Sequence, residues 1–360
     1  PLPFCLFLLN KRRFPSLSSR SRVHSYAVNS LMSISNEEAC QYISMIVQPS
    51  RDSESIQSVM FERAKTSPEF AVLLYFALKV EFENSQGEKF RKIFEKWKSQ
   101  NSPYFQDAEN ASNELMKLQK IVKGVKTVSG RENKLNYVKG ELSKVKFDRP
   151  FRLPLNPTFI VHSISTESII VFGSSLQPVK MDFLDENGCI YSAILKVGDD
   201  MRQDSLAVTT IKFIDENLKR FNIDMCVTHY SVLPISRSFG LMEFVVGAKP
   251  ISKVLQVKNN IIQDYFDEGK EEECRERFIK SSAAYTVISY VLGVGDRHLD
   301  NLLMKSNGHF FHVDYGFMFG QDPKPLPCSV RVVGEMVAAF DHVDSNCGSR
   351  QPVSHKGYYD

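Results

Sequence analysis

The sequence predicts an α+β protein in which a helical segment is followed by a strand-rich region and then by a second helical region. Before residue 125, apolar residues recur at the spacing of helices that bury one face. One such stripe is formed by Phe90, Ile93, Phe94 and Trp97. After Pro157 this period gives way to short apolar runs separated by turn residues, which is typical of strands.

The composition is that of a globular chain with a sizeable core. Of 360 residues, 42 % are hydrophobic and 24 % are charged, which excludes collagenous, coiled-coil and wholly disordered proteins. A net charge of +3 is too small to indicate a nucleic-acid partner. The sequence holds no apolar run near the 18 or so residues of a membrane-spanning helix, so we do not expect an integral membrane protein. Seven scattered cysteines without a CxxC pair favour a reducing compartment over a zinc or disulfide framework.

Local signals place the first helices and the connection that follows them. Ser67 followed by Pro68 is typical of a helix N-terminus and predicts a helix that continues to Phe82. Asn36 can cap an earlier helix. Residues 126–157 are polar and carry several prolines, which predicts a linker.

The strand-rich region is divided by turn signals and one helix. Strands are predicted at residues 159–164, 168–172, 179–183, 190–197, 226–233 and 241–246. The first turns fall at 173–175 and 186–188. Helices are predicted at 203–220 and 273–292.

The stretch from Gly293 to Gly316 carries the residues that indicate chemistry. A loop after the last long helix holds Asp296, Arg297, His298 and Asn301, and two short strands then lead to Asp314. Asn301 and Asp314 offer hard oxygen ligands suited to magnesium. Either Asp296 or His298 could orient or deprotonate an attacking hydroxyl.

The spacing of these residues favours phosphoryl transfer. Asp296 and Asn301 are five positions apart, as in the kinase catalytic loop. Asp314 is followed by one residue and a glycine, as in the kinase D-F-G motif. Each motif alone would more often be a salt-bridged turn or a β-turn, but both in this order and context indicate a kinase.

A nucleotide site should lie upstream of these motifs. Lys196 ends a predicted strand and can reach a phosphate as a point charge. No G-x-G-x-x-G precedes it, which disfavours an ordinary protein kinase. The turn at Phe172–Ser175 could cover phosphates with its amides and hydroxyls instead.

With these residues in view, the sequence resembles the phosphatidylinositol 3-kinase family, and within it the class III enzymes. The carrying motifs are KVGDDMRQD at 196–204, GVGDRHLDN at 293–301, HVDYG at 312–316 and, as the most class-specific piece, GQDPKPLP at 320–327. The resemblance covers 158–327 well and 23–125 more weakly. Tyr315 departs from the usual phenylalanine of the family, and the likeness ends after Pro327.

The resemblance implies a solenoid-like helical segment followed by a bilobal, PI3/PI4-kinase-like catalytic domain. The implied divisions are the end of the helical domain at 23–125, the linker at 126–157, the N-lobe at 158–246 and the C-lobe at 247–327. We expect the C-lobe to be incomplete, as in a truncated or mis-spliced fragment. Residues 1–22 are then an N-terminal segment of uncertain character, and residues 328–360 are a divergent tail.

The resemblance also implies roles for individual residues. In the nucleotide site these are Ser174 and Ser175 in the phosphate-binding loop, Lys196 as the ATP lysine, Asp204 as the acid that holds it, Tyr230 at the back of the pocket, and Phe244 and Val245 in the hinge that meets adenine. In the catalytic loop they are Asp296, Arg297, His298 and Asn301, with His298 as the base for the inositol hydroxyl. Asp314 matches the metal aspartate, so Asn301 and Asp314 form the metal site.

The expected substrates are ATP, with Mg²⁺ or Mn²⁺, and unphosphorylated phosphatidylinositol. Lys324 is the only basic residue between Gly316 and Arg331, in the loop that meets the headgroup in this family, whereas further phosphates would need more Lys or Arg. The expected product is phosphatidylinositol 3-phosphate. By resemblance, the partners are a regulatory protein kinase-like subunit and a coiled-coil subunit of autophagy or endocytosis. The expected location is cytoplasmic, peripheral on endosomal or autophagic membranes.

Two other interpretations remain open at this point. The chain could be a phosphatidylinositol 4-kinase or a related protein kinase, against which the DPKPLP stretch argues. It could also be a non-catalytic fragment that binds nucleotide or a regulatory partner, which the expected incomplete C-lobe favours.

Overall fold

A computed structural model describes residues 20–259, 261–323 and 332–340. Within these ranges the chain forms two compact units. The first contains the described residues up to Asn217 together with His229–Val246, and the second contains Leu218–Thr228 and the described residues from Gly247 onward. Helices precede an antiparallel sheet in the first unit, and a long helix with short strands builds the second, so the α+β class is confirmed.

The first unit begins with helices that pack around an aromatic core. Their bounds are α1 Arg20–Ser33, α2 Asn36–Gln41, α3 Ile43–Ser50, α4 Glu54–Thr66, α5 Pro68–Lys79, α6 Gly87–Lys98, α7 Phe105–Gly124 and α8 Arg131–Leu142. Trp97, fully buried, packs edge-on against Phe105 with ring centroids 4.8 Å apart, and Phe94 packs against Phe105 at 5.2 Å. The apolar stripe read from the sequence is therefore the core face of α6.

The helix caps agree with the sequence at one position and differ at another. The Ser67 hydroxyl accepts a hydrogen bond from the Phe70 N–H at 3.1 Å, and Pro68 is the first residue of α5. This helix ends at Lys79 and continues as a 3₁₀ turn, so the predicted extension to Phe82 is wrong. The cap of α2 is Ser35 and not Asn36, because Ser35 accepts the Glu38 N–H at 3.0 Å.

The stretch predicted as a linker contains regular structure. Helix α8 and strand β1 (Phe151–Leu153) lie within residues 126–157, and β2 (Asn156–Val161) begins there. In α8 only Val138 and Leu142 are buried, so its apolar period is too weak to stand out from the polar residues around it. The stretch predicted as a linker therefore holds a helix and the start of a strand pair, and its place between two domains stays a prediction.

A five-stranded antiparallel sheet completes the first unit. Its strands are β3 Ser163–Val171, β4 Val179–Leu184, β5 Ile190–Val197, β6 Val232–Ser236 and β7 Phe239–Glu243, in the order β3-β4-β5-β7-β6. Helix α9 (Arg202–Arg220) connects β5 to the later strands. Along β4, Val179, Met181 and Phe183 are fully buried in the same apolar core as the helices. The strand predicted from residue 226 begins only at Val232, since Cys226 has a φ of 52° that a strand does not allow.

The second unit is built on one long helix and a short sheet. Its elements are β8 Lys249–Pro250, α10 Ile251–Val257, α11 Glu271–Leu292, β9 Leu302–Met304, β10 Phe310–His312 and α12 Gly334–Phe340. The strand order is β10-β9-β8, and β9 pairs with β10 as an antiparallel hairpin. No helix in the described parts of the chain combines the length and the apolar character that a membrane span requires.

Candidate functional site

The loop that carries the predicted catalytic residues joins α11 to β9. Gly293 ends α11 in the left-handed conformation, with a φ of 56°. Asp296 also has a positive φ, of 53°, and its carbonyl accepts the His298 N–H at 3.1 Å. Aspartate adopts the left-handed conformation more readily than most other non-glycine residues, and here it lets the chain turn between α11 and His298.

The hairpin brings Asn301 and Asp314 to the same end of the short sheet. Leu302 pairs with His312, and the Val313 N–H donates to the Asn301 carbonyl at 3.0 Å. Asn301 is buried, and its side-chain N–H₂ donates to the Asp296 carbonyl at 3.1 Å. Asp314 is exposed, in a left-handed conformation with a φ of 63°.

These two side chains fit a divalent cation. The amide nitrogen of Asn301 is engaged with Asp296, which fixes the side chain so that its Oδ1 is the available ligand atom. Asp314 adds a carboxylate at the exposed edge. An amide oxygen and a carboxylate are the hard ligands that Mg²⁺ prefers, and Mg²⁺ characteristically keeps waters and phosphate oxygens as its other ligands.

Arg297 acts on the backbone of the site. It is 5 % exposed, and its guanidinium donates to the carbonyls of Gly295 at 2.8 Å, Val313 at 2.9 Å and Asp314. It also lies over the Tyr315 ring, 5.7 Å from the centroid. Arg297 therefore ties the predicted catalytic loop to the segment that carries Asp314, a contact that the motif alone did not reveal.

His298 is accessible to solvent, unlike the buried Arg297 next to it. Its side chain is 45 % exposed, and its Nε2 lies 3.9 Å from Asp296 Oδ2. Its Nδ1 accepts the Asp300 N–H at 3.3 Å. An imidazole that is accessible and faces a carboxylate can accept a proton from a hydroxyl and return it to solvent.

His312, the first residue of the HVDYG motif, was given no role from the sequence. It is buried, its Nδ1 lies 3.0 Å from the Ser289 hydroxyl, and its ring lies 5.1 Å from that of Tyr285. Burial, and then the charge of Arg297, lowers its pKa well below the ordinary value. His312 is thus a neutral packing residue, and its position two residues after Phe310, on the same face of β10, was the signal that could have suggested this.

In the first unit, the predicted phosphate loop and the predicted lysine lie on neighbouring parts of the sheet. Ser174 and Ser175 are exposed in the turn between β3 and β4. The Ser174 carbonyl accepts the Gln177 N–H at 3.0 Å and thereby closes the turn. Lys196 lies on β5 opposite Gly240, is 9 % exposed, and its Nζ is 3.5 Å from Asp199 Oδ2.

Asp204 and the predicted adenine-contacting residues take positions around the same sheet. Asp204 is buried in the first turn of α9. Lys196 forms an ion pair with Asp199, and its predicted pairing with Asp204 stays a prediction. Tyr230 is buried just before β6, and Val245 is partly buried after β7. The Phe244 N–H donates to the Ser192 carbonyl at 3.0 Å.

A buried ion pair on this sheet was missed at the sequence level. Lys180 Nζ lies 2.6 Å from Asp182 Oδ1, both side chains are less than 10 % exposed, and Lys180 lies over the Phe244 ring at 5.4 Å. Burial raises the pKa of Asp182, but hydrogen bonds from Lys180, Ser168 and Ser192 outweigh it and lower the pKa below the ordinary value. Two charges at alternate positions of an apolar strand face the same side, and that spacing was the available signal.

The predicted residues therefore form two sets. The predicted nucleotide residues lie in the first unit, and the catalytic loop with Asp314 lies in the second. Lys324, the predicted headgroup residue, falls outside the described residues.

Comparison with known proteins decides the family. Residues 190–346 match the family model described as phosphatidylinositol 3- and 4-kinase. This segment belongs to that kinase family. The matched residues include Lys196, the catalytic loop and Asp314. The family resemblance drawn from the motifs is thereby confirmed.

Curated relatives extend the similarity over most of the chain. The phosphatidylinositol 3-kinase root isoform of Glycine max is 32 % identical over 360 residues, covering 91 % of this chain and 44 % of the relative. Phosphatidylinositol 3-kinase VPS34 of Saccharomyces cerevisiae is 30 % identical over 341 residues, covering 92 % and 38 %. VPS34 of Arabidopsis thaliana is 30 % identical over 367 residues, covering 93 % and 45 %. The chain spans less than half the length of these relatives.

Proposed function

We propose that this protein is an ATP-dependent lipid kinase that phosphorylates phosphatidylinositol at the inositol 3-hydroxyl to give phosphatidylinositol 3-phosphate. The observation that carries this proposal is the hairpin that brings Asn301 and Asp314 together beside the loop of Asp296 and His298. The relatives named above are phosphatidylinositol 3-kinases, which supports the choice of reaction.

The side chains of the catalytic loop take separate roles in the transfer. His298 accepts the proton of the attacking hydroxyl at Nδ1, which gives up its 3.3 Å contact with the Asp300 N–H, while Nε2 faces the Asp296 carboxylate. Arg297 keeps the loop and the Asp314 segment in register through its three carbonyl contacts. Asn301 and Asp314 would hold Mg²⁺, which supplies neutralisation of phosphate charge when bound.

Residues of the first unit hold the nucleotide in this proposal. Lys196 neutralises a phosphate as a point charge at the end of β5, and Ser174 and Ser175 supply amides and hydroxyls from the exposed turn. Phe244 and Val245 contact the base, with Tyr230 behind it. Asp204 orients the lysine from the first turn of α9.

The proposed lipid carries no further phosphate on the inositol ring. Lys324 is the only basic residue between Gly316 and Arg331, so this stretch offers few cations for additional phosphates. The proposal extends to a regulatory protein kinase-like subunit, a coiled-coil subunit, and peripheral action on endosomal or autophagic membranes, with Mn²⁺ as a substitute for Mg²⁺. These extensions rest on the resemblance to class III enzymes.

The test is phosphorylation of phosphatidylinositol in vesicles by the 360-residue chain with Mg²⁺ and ATP, with the position of the new phosphate determined by chromatography. We expect the 3-phosphate, its loss in Asp314→Ala, and loss of nucleotide binding in Lys196→Met. Asp264→Ala, which removes an exposed carboxylate of the second unit, is the control. A 4-phosphate product would identify a phosphatidylinositol 4-kinase, the alternative that the matched family model also covers. Nucleotide binding without any phosphorylated lipid would refute the enzyme proposal for this chain.

A further inference from the structure

Two backbone segments of the second unit run side by side next to the catalytic loop. One is residues 292–296, which leave α11, and the other is residues 317–322, which follow the Asp314 segment. The Gly295 N–H donates to the Phe317 carbonyl at 2.9 Å, the Phe319 N–H to the Leu292 carbonyl at 2.9 Å, and the Gly320 N–H to the Gly293 carbonyl at 3.0 Å. We refer to this pair of segments as the loop ladder.

The loop ladder depends on two glycines that permit close backbone approach. A Cβ on Gly293 would lie 2.6 Å from the Gly320 nitrogen, and a Cβ on Gly295 would lie 2.3 Å from the Gln321 carbonyl oxygen. Both contacts are with backbone, which cannot give way as a flexible side chain can. Glycine at these positions therefore serves to hold residues 317–322 against the catalytic loop.

Asp322 completes the loop ladder at Asp296. Its Oδ2 accepts the Asp296 N–H at 2.8 Å. On the other side of the same residue, the Asp296 carbonyl accepts the Asn301 side-chain N–H₂ at 3.1 Å. The left-handed conformation of Asp296 is thus held from both sides, by Asp322 and by the side chain that would bind the metal.

We propose that Asp322 is a positioning residue that fixes the catalytic loop through the Asp296 amide, and through it the place of the Asn301 side chain. The structural part of this inference is independent of the activity, whereas its kinetic consequence rests on the proposed function. The Asp322 oxygen gives the Asp296 N–H its acceptor, and a backbone donor left without one is costly, so one residue can hold the loop against the cost of the left-handed backbone.

The first test measures amide hydrogen exchange of the full chain by mass spectrometry, in peptides that cover 293–301. Asp322→Ala should exchange in these peptides about tenfold faster or more, since it leaves the Asp296 N–H without its acceptor. Asp322→Asn keeps an acceptor oxygen in the same place and should stay close to the unsubstituted chain. Asp322→Glu keeps the charge but displaces it, and should behave like Asp322→Ala.

The matched control is Asp264→Ala, which removes an exposed carboxylate elsewhere in the same unit and should leave exchange at 293–301 unchanged. Asp322→Ala could also speed exchange in β9 and β10 by loosening the whole unit. In that case the proposal still requires Asp322→Asn to exchange like the unsubstituted chain and Asp322→Glu to exchange like Asp322→Ala. Equal exchange in Asp322→Ala and the unsubstituted chain would overturn the proposal. Acceleration in Asp322→Asn as large as in Asp322→Ala would also overturn it, because an acceptor oxygen in this position would then not be what holds the loop.

The second test separates the catalytic consequence from nucleotide binding. With phosphatidylinositol vesicles, Asp322→Ala should lower kcat about tenfold or more while the Kd for ATP, measured by binding, stays unchanged, and Asp322→Asn should recover most of the rate. An unchanged kcat in Asp322→Ala would refute the kinetic part. If the unsubstituted chain forms no phosphorylated lipid while exchange at 293–301 still responds to Asp322 as described, the proposed function fails and the positioning role stands.

Discussion

Replacing Arg297 with lysine tests whether the guanidinium fork, and not only its charge, holds the site together. The guanidinium donates to three backbone carbonyls and is almost completely buried. A lysine ammonium is a single point charge and can reach one of these carbonyls, so two hydrogen bonds are lost. At about 1.5–3 kcal/mol for each hydrogen bond to a charged group, the loss is about 3–6 kcal/mol before relaxation. We expect Arg297→Lys to lower the free energy of opening of the second unit by about 3 kcal/mol.

The assay must report on the second unit. The single tryptophan, Trp97, is in the first unit, so its fluorescence is the wrong probe for this substitution. Amide hydrogen exchange in peptides covering 310–318, measured over a series of urea concentrations, gives the free energy of opening around the Val313 and Asp314 carbonyls directly.

A second arginine of the same unit supplies the control. Arg277 is only partly buried, and the backbone carbonyl it contacts is that of Asn307, at 3.1 Å. Arg277→Lys should therefore cost less than about 1 kcal/mol. An Arg297→Lys variant that opens within about 0.5 kcal/mol of the unsubstituted chain would show that the fork geometry is unimportant.

Three further predictions follow from packing and titration. Gly308→Ala should destabilise the second unit by about 3 kcal/mol or more. The new Cβ would lie 1.9 Å from the Cys274 carbonyl oxygen, and the backbone φ of 88° disfavours alanine. Hydrogen exchange in α11 that matches the unsubstituted chain would contradict this prediction. The pKa of Asp182 is lowered in the folded chain, so the unfolded chain takes up the proton first and stability is lost as the pH falls below about 4. Urea unfolding followed by Trp97 fluorescence should show a smaller loss on acidification in Asp182→Asn, and an equal loss would exclude this carboxylate as the cause. Burial, and then the charge of Glu69, raises the pKa of the Cys40 thiol to about 12. At pH 8 an alkylating reagent should therefore modify the exposed Cys189 well before Cys40. Mass spectrometry of the peptides measures the order of modification, and equal rates would contradict the prediction.

The sequence was most informative where local spacing determines the structure. The two short strands predicted before Asp314 form the hairpin of β9 and β10, and that pairing places Asn301 and Asp314 at one end of it. The cap at Ser67 was predicted correctly because it depends on neighbouring residues alone.

Features that depend on distant backbone could not be predicted in this way. The carbonyls that Arg297 contacts belong to residues up to 17 positions away, and nothing in the D-R-H motif specifies them. The bond from Asp322 to the Asp296 amide spans 26 positions. Helix α8 escaped detection for a different reason, since it buries only two side chains and owes its place to the elements around it.

The shared core of the first unit has a practical consequence for studying the kinase segment in isolation. Val179, Met181 and Phe183 of β4 and Leu241 of β7 are buried in the same apolar cluster as residues of α5 and α7. A protein expressed from residue 158 onward would lose the helices and expose that side of the sheet to water. Large exposed apolar faces promote aggregation. A protein expressed for such studies should therefore include the helices from α5 onward. Insolubility of a shorter version would result from the exposed apolar side of the sheet and not from a defective catalytic site.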